Sequence, residues 1–152
     1  MTRLAGLPLF ALALGAGAPP PNPAPVEGAS VTVTINNLRN SKGVVRACMT
    51  AQEKTFPKCR GVAGAHAARV DAQEGTVTLT FDDVKPGRYA IALLHDENEN
   101  GKADRALGMM PKEGFGFSRD APVRMGPPKF EDAVMELGAE DTALSIKMRY
   151  ML

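Results

Sequence analysis

The chain has 152 residues, with 18 Lys+Arg against 17 Asp+Glu and a formal charge of +1. That length holds one domain with one core, and the near-neutral balance leaves no electrostatic footprint for nucleic acid or anionic lipid over the chain as a whole. The absence of Trp, beside only two Tyr and six Phe, argues against a stacking platform for bases or sugars, while 15 Gly and 12 Pro point to many turns between short strands.

The first segment carries Arg3, an apolar stretch from Leu4 to Leu14 and the small residues Ala16 and Ala18. It reads as a signal peptide over residues 1–18 that sends the protein to the periplasm or the medium. The stretch is too short for a membrane span and Pro8 interrupts it, so no span is expected in the mature chain; a retained anchor is the alternative. Residues 19–29 are proline-rich and expected to form an extended linker. The folded domain is expected over residues 30–152.

Val31, Val33 and Ile35 alternate with Thr32 and Thr34, the two-residue period of a half-buried strand. Turn residues 36–43 follow, then a second strand from Val44 to Met49, and the two are expected to pair as a hairpin. The strongest alternation runs from Thr76 to Phe81, with Val77, Leu79 and Phe81 facing inward. Pro86-Gly87 then suits a type II turn with a positive φ at the glycine. Residues 88–95 are apolar on both faces, as in a central strand covered on both sides. Leu144, Ile146, Met148 and Tyr150 give a C-terminal amphipathic strand, and weaker strand patterns lie at 65–70 and 132–137. About seven short strands without helical periodicity imply an all-β, immunoglobulin-like or transthyretin-like Greek-key sandwich.

Three features bear on function. Asp96, Asn98 and Asn100 place oxygens at alternate positions, Gly101 supplies a sharp turn, and the Lys102 carbonyl and Asp104 follow at EF-hand-like spacing. Calcium is the metal such hard oxygens suit, but Leu107 stands where a bidentate Glu is needed, so the expected site is weak, on the order of 10⁻⁴ to 10⁻³ M. Glu113 and Asp83 are candidates to complete the shell. The competing expectation is a polar turn closed by its own hydrogen bonds. Cys48 and Cys59, the only cysteines, are expected to form a structural disulfide, since no C-x-x-C marks a redox pair. Residues 110–130 lack periodicity and form a possible binding loop with Glu113, Phe115, Phe117 and Phe130; alternatively the three aromatics plug one end of the core.

The segments Pro86–Ala90, His95–Lys102 with Asp104, Pro111–Ser118 and Gly126–Ala133 resemble, in this order, a bacterial family of exported proteins, domain of unknown function 2141. The resemblance covers Val31 to Tyr150 and implies an exported β-sandwich without an assigned activity, so no catalytic residue carries over. Glu99 departs from the small residue usual in the family's Asp/Asn string. The sequence thus supports a non-enzymatic binding or accessory module of the bacterial envelope, contacting a protein or glycan partner through the loops from His95 to Phe130. The alternative is a metal-assisted hydrolase using His95, Asp96 and Glu113, which requires those side chains to converge.

Overall fold

The computed structural model describes residues 17–22, 28–106 and 109–152. Of the expected signal peptide, residues 1–16 lie outside the described residues, and of the expected linker, residues 23–27 do. The elements are β1 (Ala29–Leu38), β2 (Val44–Thr50), β3 (His66–Asp71), β4 (Gly75–Val84), β5 (Gly87–Asp96), β6 (Arg105–Ala106), β7 (Met110–Pro111) and β8 (Gly114–Phe117). A 3₁₀ turn (Ser118–Asp120), the one-turn helix α1 (Phe130–Ala133), β9 (Met135–Leu137) and β10 (Thr142–Lys147) complete the chain.

Two sheets form a sandwich. The first has the order β10-β1-β4, with β10 parallel and β4 antiparallel to β1; the second runs β3-β2-β5-β8, antiparallel throughout, and β9 pairs with the start of β5. Alternation decides which side chains lie between the sheets. Val31, Val33 and Ile35 of β1 and Val77, Leu79 and Phe81 of β4 pack in one cluster with Val45, Ala47 and Met49 of β2 and with Ile91 and Leu93 of β5. Each large apolar side chain buried there contributes roughly 1.5–3 kcal/mol.

Two local expectations fail for a common reason. β1 and β2 do not form a hairpin: β1 belongs to the first sheet and β2 to the second, so residues 39–43 arch between layers. Pro86-Gly87 likewise bridges β4 in one sheet to β5 in the other, and Gly87 opens β5 without a positive φ. Period-two alternation tells which face of a strand is apolar. It does not tell which neighbouring strand supplies the hydrogen bonds, so a hairpin and an arch look alike in sequence.

The stretch from 110 to 130 is also not a single loop. Its Gly114–Phe117 segment is a strand hydrogen-bonded to β5, with Ala92 opposite Phe117 and Leu94 opposite Phe115. Its two faces differ by design of the sequence. On the inner face, a Cβ at Gly114 would overlap the Tyr150 ring and meet Met148 Cγ at 2.9 Å, and one at Gly116 would lie 3.0 Å from Ile146 Cγ2. Only glycine lets β8 approach the C-terminal segment this closely.

On the outer face, Phe117 joins Phe130, Ala90, Ala121 and Ala133 in a second apolar cluster. The aromatics therefore do not plug an end of the main core; they pin residues 118–134 across the outside of the second sheet. Ser118 fastens that cover, its hydroxyl donating to the Ala133 carbonyl at 2.6 Å and accepting from the Ile91 N–H at 2.9 Å.

Candidate functional site

The cover leaves the other half of that outer face open, and the acidic loop borders it. Asp96 ends β5 with its carboxylate fully buried. One oxygen accepts from Arg46 Nε at 2.6 Å and from the Gly101 N–H at 2.9 Å, and the other accepts from the Asn100 N–H at 3.1 Å. Arg46 reaches it because Val44 lies opposite Asp96 and Arg46 opposite Leu94 in the β2–β5 register, which makes the two charged residues diagonal neighbours on one face.

Beyond Asp96 the loop closes on Asp104, which accepts from the Asn98 amide at 2.7 Å and from the Asn100 amide at 2.9 and 3.0 Å. The Asn98 and Asn100 oxygens accept from the N–H groups of Asn100 and Lys102, two Asx turns that fold the loop. The Asn100 amide and, less strongly, the Asn98 amide hold the Asp104 carboxyl below the usual carboxylate range.

Glu113, in the turn before β8, is buried and caps the loop from the other side, accepting from the N–H groups of Glu97 at 3.1 Å and Asp104 at 3.2 Å. Burial pushes its carboxyl up, against the pull of those hydrogen bonds. The acidic loop and the Gly-Phe segment thus adjoin.

Among the expected metal ligands, Asn98, Asn100 and Asp104 converge, while Asp96 is turned to Arg46. Asp83 is elsewhere: its carboxylate accepts from the Gly28 N–H at the start of β1, whereas Arg39, just past the end of that strand, is the residue that reaches Glu97 in the loop. Among the described residues no group of three or more His, Cys, Asp and Glu side chains gathers in a metal-holding arrangement.

The residues of the hydrolase reading do not converge. His95 and Asp96 are consecutive in β5 and project to opposite faces. His95 is fully buried on the inner side, where Nε2 donates to the Lys42 carbonyl at 2.8 Å. That bond fixes the proton on Nε2, so Nδ1 accepts from the Tyr150 hydroxyl at 2.7 Å. Tyr150 in turn accepts from the Arg39 N–H, and the Arg39 guanidinium stacks 4.6 Å from its ring centroid while pairing with both oxygens of Glu97. The histidine therefore joins the β1–β2 arch, the end of β5 and the C-terminal segment, with neither nitrogen left for a reactant.

The disulfide expected between Cys48 and Cys59 is present, with Cα atoms 5.5 Å apart. It fastens the loop after β2 to the outer face of the second sheet and brings Phe56 edge-on to Phe117 and Phe130, each at 5.9 Å between centroids.

These walls enclose a groove of about 1310 Å³. Cys48, Ala92, Leu94 and Phe115 form its floor; the disulfide loop, residues 101–105, residues 109–111 and residues 123–127 form its sides. Glu113, Phe115 and Phe117 of the expected binding loop line it, whereas Phe130 is packed beneath the cover. The sequence reading missed Ala92 and Leu94, taking β5 as covered on both faces; both are only half-buried. It also missed the methionines. Met109, Met110, Met125 and Met151 are exposed, Met125 at 92%, and all four line this groove. The signal was available in large apolar residues set within polar turns at 109–110 and at 125.

A family model for an uncharacterized protein conserved in bacteria, domain of unknown function 2141, matches residues 33–145. No match to a curated protein or to a solved structure was found. The match spans most of the sandwich, both sheets and the loops around the groove, and the chain belongs to this bacterial family.

Proposed function

We propose that the protein is a non-enzymatic binding module whose ligand lodges in the groove on the outer face of the second sheet, and that it works outside the cytoplasm. The observation that carries the binding role is the groove itself, an apolar floor of sheet residues left open while the rest of the same face is covered. Largely preformed apolar concavities with few polar groups are where ligands bind. The engaged nitrogens of His95 and the backbone-bonded Ser118 support the non-enzymatic reading. The leader pattern and the disulfide support the compartment.

The test is binding of the neutral apolar reporter N-phenyl-1-naphthylamine. Fluorescence enhancement is expected for the native protein and its loss for Leu94→Glu with unchanged far-UV circular dichroism. Thr78→Glu, on the outer face of the other sheet, is expected to bind normally. No enhancement, or equal enhancement in all three proteins, contradicts the assignment.

We also propose a weak Ca²⁺ site in the 96–104 loop, favoured by the convergence of Asn98, Asn100 and Asp104. Binding requires both carboxamides to turn their oxygens toward Asp104. Millimolar Ca²⁺ is expected to raise the melting temperature of the native protein and not of Asp104→Ala; no response in the native protein refutes the site.

A further inference from the structure

We infer that the groove's occupant is a free single-chain amphiphile with an anionic head, chemically a long-chain carboxylate, its chain lying over Ala92 and Leu94 and its head among cations at the rim. The inference rests on the groove being a binding site and goes further in assigning the ligand's chemistry.

Charge is the first argument. The whole chain balances 18 basic against 17 acidic residues, yet the groove is lined by six cations and two carboxylates, Asp104 and Glu113. Both carboxylates are already satisfied within the protein, by the Asn98 and Asn100 amides and by backbone N–H groups. Arg46 is taken by Asp96. Lys58, Arg60, Arg69, Arg105 and Arg124 form no ion pair among the described residues. A rim of unmatched cations around an apolar floor complements a molecule that is anionic at one end and apolar along its length.

The lining supplies the second argument. The four exposed methionines are unbranched and polarizable, able to repack along a chain that has no fixed shape of its own. On the floor, Ala92 and Leu94 carry no hydrogen-bonding side chain, and Arg46 beside them is engaged by Asp96. The volume, about 1310 Å³, exceeds the roughly 300–1,000 Å³ of sites for compact ligands and suits an extended one.

The experiment displaces N-phenyl-1-naphthylamine from the full-chain protein with dodecanoate, dodecanol or dodecyltrimethylammonium. Dodecanoate is expected to act at about tenfold lower concentration than dodecanol, the sum of two or three exposed charge contacts, with the cationic amphiphile weakest. That advantage is expected to shrink at about 0.5 M NaCl and in Arg69→Gln/Arg124→Gln. Equal displacement by the acid and the alcohol overturns the inference while the groove assignment stands. Absence of reporter binding overturns both. Co-sedimentation with phosphatidylglycerol vesicles, without displacement by free dodecanoate, assigns the face to a membrane surface and also overturns the inference.

Discussion

Gly114→Ala isolates the steric claim about β8. The backbone there lies outside the left-handed region, so alanine meets no conformational penalty, and the effect is confined to one methyl group. That methyl would enter the Tyr150 ring edge and crowd Met148 Cγ at 2.9 Å. Overpacking of this kind costs about 1–3 kcal/mol. Displacing Tyr150 also breaks its 2.7 Å bond to His95 and leaves a fully buried ring nitrogen without a donor, which costs about 1–3 kcal/mol more. Restriction of the unfolded chain returns about 0.4–1 kcal/mol. The net is about 2–5 kcal/mol, a fall in melting temperature of roughly 5–20 °C for a domain of this size.

Calorimetry on Gly114→Ala, Gly116→Ala and Gly138→Ala reads the result as a series. Gly116 has its nearest neighbours at 3.0 and 3.1 Å and is expected to lose less, while Gly138 has nothing within 4 Å and is expected to hold or gain stability. A Gly114→Ala protein as stable as Gly138→Ala refutes the close approach of β8 to the C-terminal segment.

Asp96→Ala leaves Arg46 and two N–H groups without their acceptor; with Arg46 one-third exposed, the expected loss is about 2–4 kcal/mol in urea unfolding, at or below the range for a fully buried pair. Reducing the Cys48–Cys59 bridge is expected to cost about 2–4 kcal/mol and to weaken reporter binding as the groove wall at Pro57, Lys58 and Arg60 loosens, both followed with and without dithiothreitol. Hydrogen bonding from Arg39 lowers the Glu97 carboxyl below its ordinary value of 4.5. Because the folded value is the lower one, the contribution of Glu97 is present above about pH 4.5 and lost as pH falls through the folded-state value. Acid unfolding of Glu97→Gln is expected to be flatter across that window than that of the native protein.

Alternation made the strands legible wherever one face is apolar, as at Val77, Leu79 and Phe81. It failed where glycine replaced the inward residue. In Gly114-Phe115-Gly116-Phe117 the period is still two, but the face that packs against Tyr150 and Ile146 carries no side chain, so the strand reads as a loop. The pairing of arches was hidden because sheet membership depends on distant strands. The adjacency of the acidic loop and Glu113 followed from sequence order, whereas the role of Asp96 did not: its partner Arg46 is fifty residues away and meets it only through the β2–β5 register. The open floor escaped notice because Ala92 and Leu94 look like core residues, and only the reach of the 118–134 cover decides which part of that face remains uncovered.

The most direct measurement is ¹H–¹⁵N chemical-shift mapping of the native protein titrated with dodecanoate. The account predicts progressive shifts at Ala92, Leu94, Phe115 and the groove methionines, with Thr32, Thr78 and Thr80 on the far sheet unmoved. Shifts confined to that far sheet, or no saturable shifts at all, would contradict it.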